Sequence, residues 1–407
     1  MKDHQSIREQ FPILDQKVHT DTQLVYLDNA ASVQKPLRVI ERINQYYRSE
    51  NANIHRGVHF LSDLSTNNYE SSRNKVQNLI NASYNHEVIF TKGTTDSINL
   101  VASSLRFSGK IKKGDNVVIS YMEHHSNIVP WQMLCEATQA QLRVIPIDEN
   151  AELILDDIHK IIDEKTKIVS VNHISNSLGT VNPIETLIKR AKEVGSKTLI
   201  DAAQSIQHMP IDVQELGCDF LVFSGHKMYG PTGIGILYGK ENILDELPPY
   251  QGGGDMIDNV TFKKTTYNSL PHKFEAGTPN IVGGVALGEA IDFLNDTDLE
   301  KINNYENDLL EYTFNQVKTI DGLKIVGTPK KRSGVISFIV DKVHPFDLGT
   351  LLDNYGVAIR TGHHCTQPVM DFFKIPGTCR ASIAVYNNKN DIDYFIDKMN
   401  KCLKMLR

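Results

Sequence analysis

A lysine and an aspartate, each at the end of an apolar run, carry the first chemical signal in this 407-residue sequence. In Asp219-Phe-Leu-Val-Phe-Ser-Gly-His-Lys227-Met-Tyr-Gly-Pro, a strand-like run ends in Ser-Gly-His-Lys and a Gly/Pro-rich loop follows. Solvated lysines sit on exposed helix faces, whereas the strand ends of parallel sheets are where ligands bind. Desolvation at such a place lowers a lysine's proton affinity and makes the amine a nucleophile toward carbonyl carbon. A second run, Thr198-Leu-Ile-Asp201-Ala-Ala-Gln204-Ser, sets a carboxylate at another strand end. That carboxylate needs a cationic partner. A protonated pyridine nitrogen supplies one, and the pairing keeps the ring an electron sink for carbanion chemistry. Gln204 can donate to a ring hydroxyl. Taken singly, a snorkelling lysine and a helix-capping aspartate are competing readings. Taken together, Lys227 and Asp201 point to pyridoxal 5'-phosphate (PLP).

Three further strand ends meet the needs of the same group. Residues 87–90 form an apolar run that continues into Thr91-Lys-Gly93-Thr94-Thr95-Asp-Ser, a glycine turn and a helix start. Backbone N–H groups there, with the Thr94 and Thr95 hydroxyls, can hold a phosphate. Ordinary helix capping explains this motif equally well when it stands alone. Ser224 and His226, beside the lysine, offer more phosphate contacts. His124, in Glu123-His124-His125, follows the run 116–120, where an imidazole can stack on a flat heteroaromatic ring and shuttle protons. Asn176 lies just past the run 168–171 and can bond the ring hydroxyl or a substrate carboxylate.

The elements that would position these residues alternate between strand and helix. Strand-like runs at 87–90, 116–120, 143–147, 168–171, 198–200, 220–223 and 235–238 are separated by helix-length segments. Their near-continuous apolar character is that of a mostly parallel sheet covered on both faces, in an α/β domain. From residue 281 the pattern changes: helical stretches at 281–294 and 299–317, then strand-like runs at 334–340, 356–360 and 381–386, and a closing helix at 391–406. The division expected is an arm over residues 1–25 packing on the small domain, a large PLP-binding domain over 26–294 and a smaller α+β domain over 295–407.

Composition narrows the remaining classes. With 40% hydrophobic and 23% charged residues the chain is an ordinary globular one, which excludes global disorder. A net charge of −6 and the lack of basic runs interleaved with aromatics argue against nucleic-acid binding. No apolar run approaches the ~20 residues of a membrane span, and the first residues lack a signal-peptide core, so a cytoplasmic location is expected. Five cysteines without a CxxC pair suggest neither a disulfide framework nor a metal site. Cys135, Cys218, Cys379 and Cys402 read as packed thiols. Cys365 differs, because Gly362-His363-His364-Cys365 presents a loop thiol beside two imidazoles, a setting that favours the thiolate.

With these residues in view the sequence resembles the SUF-type cysteine desulfurases, within the class V aminotransferase group of PLP-dependent enzymes. The resemblance runs from Ile7-Arg-Glu-Gln-Phe-Pro-Ile-Leu and Tyr26-Leu-Asp-Asn-Ala-Ala-Ser through Asn53-Ile-His55-Arg56-Gly-Val-His to Arg360-Thr-Gly-His-His-Cys365. The last run is the one specific to the SUF-type branch. The resemblance implies fold type I, with a seven-stranded, mostly parallel sheet in the large domain. It also implies conversion of L-cysteine to L-alanine, with a persulfide formed on Cys365 and passed to a SUF-type acceptor protein for iron–sulfur cluster assembly. On that reading Lys227 bonds the cofactor covalently, Asp201 pairs with the ring nitrogen and Gln204 contacts the ring oxygen. His124 stacks on the ring and moves protons, while Thr95, Ser224 and His226 hold the phosphate. Thr278, in Phe274-Glu-Ala-Gly-Thr278-Pro-Asn, reaches the neighbouring subunit's phosphate, which implies a homodimer. Arg380 forks onto the substrate α-carboxylate with Arg360 assisting, and His55 joins the substrate-binding set. Thr366 stands where relatives usually carry Ala and is expected to be a small surface-loop change. Other readings are a selenocysteine lyase of the same fold, an aminotransferase or kynureninase-like enzyme that would leave Cys365 idle, and a catalytically silent scaffold subunit.

Overall fold

The computed structural model describes residues 4–19 and 21–407; the first three residues and Thr20, all within the expected arm, lie outside the described residues. The strand-like runs become a seven-stranded sheet: β1 (Val88–Thr91), β2 (Asn116–Ser120), β3 (Gln141–Ile145), β4 (Thr166–Asn172), β5 (Lys197–Asp201), β6 (Phe220–Ser224) and β7 (Gly235–Gly239). Their order is β1-β7-β6-β5-β4-β2-β3, with β7 antiparallel to both neighbours and the other pairs parallel. Six strands therefore point the same way, and their carboxyl ends share one edge.

The continuous apolar runs follow from two buried faces. Successive strand side chains point to opposite sides. Accordingly Val88, Leu221 and Phe223 belong to one core cluster, while Ile89, Phe220 and Val222 belong to the other. Helices α1 (Leu37–Ser49), α2 (Phe60–Leu79), α5 (Ile184–Glu193) and α6 (Ile281–Thr297) contribute to the first; α3 (Thr94–Phe107) and α4 (Val129–Thr138) contribute to the second. Helix α6 approaches α2 closely through glycine: a Cβ at Gly284 would lie 2.5 Å from Tyr69 Cε2, and one at Gly288 would lie 2.4 Å from Ser72 Oγ.

A second sheet follows α7 (Leu299–Val317). It contains β8 (Leu323–Ile325), β9 (Val335–Val340), β10 (Arg360–Gly362) and β11 (Thr378–Ser382) in the antiparallel order β8-β9-β11-β10, packed by α8 (Lys389–Leu406). Of the segment expected to be an arm, Ile7, Phe11 and Leu14 join the large cluster, where Phe11 packs against Phe293 and Tyr386. Arg8 meanwhile ion-pairs with Asp391 at the start of α8.

Three strand expectations need correction. The run at 143–147 pairs two residues earlier, because Asp115 and Asn116 set the register against Gln141. The run at 356–360 is two pieces: Val357–Ala358 pairs in parallel with Val25–Tyr26, and only Arg360–Gly362 joins the small sheet. The run at 381–386 is displaced toward the amino end, so Arg380 sits mid-strand opposite Ser337 and Arg360. A buried arginine interrupts the apolar pattern there, while Ile383–Tyr386 packs as buried loop.

Candidate active site

The shared strand edge, the loop after β10 and strand β11 enclose a cavity of about 220 Å³. Lys227, Asp201, Gln204, Thr94, Thr95, Asn176, Ser224, His226, His124, Arg380, Arg360 and Cys365 all line it. Two expected site residues do not. His55 lies outside, bonded through Nε2 to Glu70 at 3.0 Å and set against His272, and Thr278 is exposed on the surface.

Local structure explains each position. Strand β6 ends at Ser224, and a single 3-10 turn, Gly225–Lys227, lifts Lys227 over the sheet edge. Its ammonium has no carboxylate within ion-pair distance among the described residues, and burial lowers its pKa to about 8, Asp201 only partly opposing. Asp201, the last residue of β5, accepts one hydrogen bond, from the Ala203 N–H at 2.9 Å, and burial pushes its carboxyl up. At the end of β1, Gly93 is the N-cap of α3 and supplies no capping side chain, so the first turn keeps open N–H donors. Ser224 Oγ bonds Thr94 through N (2.9 Å) and Oγ1 (2.8 Å). This turn requires glycine next door, since a Cβ at Gly235 would fall 2.3 Å from Gly93 Cα.

His124 stands after β2. The Ser126 N–H donates to its Nδ1 at 3.1 Å, which leaves the proton of the neutral ring on Nε2. Burial, reinforced by Lys227, drops its pKa to about 3. His364 behaves alike, falling to about 2 through burial and the nearby Arg380. His173 falls to about 4 for the same first reason. Folded values below the free imidazole's ~6.5 mean that these rings stay neutral where exposed histidines charge, and withdraw stability as pH falls below ~6.5. In an NMR titration from about pH 7.5 to 5.5, the ring signals of His124, His173 and His364 are expected to hold their neutral positions. A midpoint near 6.5 for any of them would contradict the burial that the structure gives it.

Arg380 is 2% exposed and held from two sides, by Asp28 at 3.0 Å and by the Asn176 carbonyl at 2.9 Å. Its Nε has no partner, and burial lowers its pKa to about 10. Asp28 also meets Arg360 at 3.4 Å, so one carboxylate aligns both guanidinium groups. Asn176 spends its side-chain N–H on the His364 carbonyl at 2.7 Å, tying the cysteine loop to the end of β4.

The Cys365 loop is held firmly. His364 and Cys365 both take left-handed backbone, φ 52 and 57, a conformation that costs non-glycine residues energy and persists where neighbours enforce it. Here the His125 N–H bonds the Cys365 carbonyl at 2.8 Å, and the Cys365 N–H bonds His363 Nδ1 at 3.2 Å. Thr366 is not a surface change: it is fully buried, and its hydroxyl donates to the His363 carbonyl at 2.9 Å. Cys365 itself is partly exposed, whereas the other four cysteines are buried, and burial raises Cys379 to about 12 and Cys135 to about 11.

Sequence reasoning did not single out Asp28, Asn172 or Glu123. Glu123 is fully buried beneath the site and accepts from the Asn172 N–H (3.0 Å), Ser120 Oγ and Asn127 Nδ2 (2.6 Å). Asn127 cannot turn its amide, because Trp131 Nε1 and Ser170 Oγ both donate to its Oδ1. Burial nonetheless lifts the Glu123 carboxyl to about 8. The only signal in the sequence was its place beside His124.

A buried amine without an ion pair, a carboxyl with an oxygen to spare, and hydroxyls at an uncapped helix start form a donor set that fits PLP. The chain belongs to the aminotransferase class-V family, whose model matches residues 25–395, and this family is PLP-dependent. Among its relatives, the chain is 48% identical to a probable cysteine desulfurase of Halalkalibacterium halodurans over 97% of both chains. It is 47% identical to a cysteine desulfurase of Cronobacter sakazakii, over 99% of this chain and 98% of the relative. Of solved structures, the cysteine desulfurase CsdA (S-sulfonic acid) from Escherichia coli superposes with a TM-score of 0.92 at 35% identity, covering 100% of both chains.

Proposed function

We infer that the chain is a PLP-dependent cysteine desulfurase that converts L-cysteine to L-alanine and carries the sulfur away as a persulfide on Cys365. The observation that carries this reading is the meeting of Lys227, Asp201, Arg380 and Cys365 in one cavity. When bound, PLP supplies an aldehyde for amines and an electron sink that weakens bonds at the substrate's α- and β-carbons. Lys227 would anchor it, Asp201 would hold its ring nitrogen, Gln204 its ring oxygen, and Thr94, Thr95, Ser224 and His226 its phosphate.

The chain's own groups do the rest. Arg380, fixed by Asp28 and Asn176, receives the substrate α-carboxylate on its remaining donors, a fork that lysine fills poorly. Arg360 and the second N–H of Asn176 Nδ2 complete that grip. His124 presents Nε2 as the atom that moves the proton. Cys365 Sγ, as thiolate, attacks the substrate sulfur; the new S–S bond forms as the Cβ–S bond breaks. The bonding electrons stay with carbon, which takes up a proton and leaves in alanine, and the sulfane sulfur stays on Cys365.

The reading extends to a homodimer and to an acceptor. The Arg56–Asp255 ion pair (3.2 Å), the His55–His272 contact and the Gly277–Gly254 hydrogen bond join His55 and Thr278 into one surface region. Val58 and Phe60, next along the chain, leave apolar side chains 100% and 76% exposed, and Phe262 is exposed on a nearby hairpin. A second copy would cover this region, with Thr278 offered to its phosphate. Sedimentation is expected to give twice the chain mass; a monomer at micromolar concentration would remove that part. The Arg360-Thr-Gly-His-His-Cys365 run supports a SUF-type acceptor, iron–sulfur cluster assembly and a cytoplasmic setting that keeps Cys365 reduced. The helical and strand content after residue 295 supports treating 295–407 as the smaller domain, 26–294 as the large one and 1–25 as an arm.

The test is turnover itself. The purified holoenzyme should release alanine from L-cysteine, and Arg380→Lys should raise KM for cysteine about tenfold or more while kcat falls less. Release of alanine from selenocysteine alone would move the assignment to a selenocysteine lyase. An unchanged KM would remove Arg380 from the carboxylate site.

A further inference from the structure

A cavity of about 1370 Å³ lies away from the catalytic pocket and shares no lining residue with it. It is a cleft lined by α5, α7 and the segment 328–333 that leads into β9. Arg332 stands in it in an unusual state. Its guanidinium lies over the Phe314 ring at 4.6 Å and donates to the Gly327 carbonyl at 2.6 Å, and its Nε has no partner.

Burying a cation without a counterion is costly, and three other inward-packed arginines of this fold have one. Arg73 meets Glu275 at 2.7 Å, Arg8 meets Asp391 at 2.8 Å, and Arg380 meets Asp28. Arg332 has no carboxylate within ion-pair distance among the described residues, although Glu185, Glu193, Asp212, Glu215 and Glu311 line other parts of the same cleft. The exposed Lys189, Lys192 and Lys331 also line it, without an ion pair among the described residues. His173, 8% exposed, also lines the cleft and has a buried Nδ1 without a partner. The aromatic face fixes the plane of the guanidinium and leaves its edge for a planar or tetrahedral anion, the geometry in which arginine binds carboxylate and phosphate.

We propose that this cleft is a binding site for a small molecule bearing a phosphate or carboxylate group, seated on the edge of Arg332. Its volume exceeds the few hundred Å³ that a single metabolite fills, so the remainder of such a molecule has room beside the anionic group.

The test uses the holoenzyme, with L-alanine in excess so that the catalytic arginine is taken. Calorimetric titration with inorganic pyrophosphate and, separately, with citrate distinguishes phosphate from carboxylate chemistry. Saturable millimolar or tighter binding of at least one probe is expected, weakened about tenfold or more in Arg332→Gln. Phe314→Leu, which leaves the charge and removes the stacking face, is expected to weaken it less. If Arg332→Gln does not fold, Arg332→Lys keeps the charge, loses the fork and should still weaken binding. Failure of both probes to bind, or binding to the folded Arg332 variant within twofold of the parent, would overturn the proposal.

Discussion

Lys227→Ala is expected to leave a protein that no longer retains PLP covalently, with cysteine turnover reduced on the order of 10³-fold or more. The expectation follows from where the amine sits. The turn Gly225–Lys227 places it over the sheet edge, and burial without an ion pair lowers its pKa to about 8, so an unprotonated fraction is present near neutral pH. No other lysine among the described residues lines the cavity, so no such neighbour can substitute. Borohydride treatment followed by peptide mapping reads the outcome directly. Cofactor fixed to Lys227 in the parent and to nothing in the variant is the result expected; cofactor fixed elsewhere in the parent would displace the assignment. The fold should survive, because removing an unpaired buried cation relieves a desolvation penalty rather than breaking an interaction.

Cys365→Ala should abolish alanine release while leaving cofactor binding intact. The thiol is held at the cavity wall by a loop that four hydrogen bonds and a buried threonine keep in place, and none of these bonds uses the Cys365 side chain. Its removal takes away the sulfur acceptor without loosening the loop. The remaining thiols cannot replace it: Cys379, Cys218, Cys135 and Cys402 are buried outside the cavity. The absorbance of the bound cofactor should therefore match the parent, and cysteine should still perturb it, since Arg380 and Lys227 are untouched. Turnover equal to the parent's would remove the persulfide step.

Much of this site was legible because parallel strands end at one edge. Lys227, Asp201, Thr94, His124 and Asn176 each follow an apolar run, and topology alone brings such ends together. Arg380 was legible as a residue but misplaced in its element, because a buried arginine mid-strand carries no apolar signature. Asp28 and Glu123 were invisible for a related reason. A carboxylate that aligns two arginines, or one that receives three donors from β2, its following loop and β4, is defined by partners distant in the chain. Thr366 read as a surface position because nothing local shows that the loop turns inward through two left-handed residues. His55 and Thr278 lie outside the pocket of their own chain, and no pattern along one chain reports what a second copy would receive.

On the proposed function, Cys365 takes the sulfur. Mass spectrometry of the peptide containing Cys365, after brief exposure of the holoenzyme to L-cysteine without an acceptor, tests it most directly. One added sulfur atom on Cys365, removable by a reductant and absent from Lys227→Ala, is the expected result. An unmodified Cys365 in an enzyme that has released alanine, or sulfur carried by another cysteine, would contradict it.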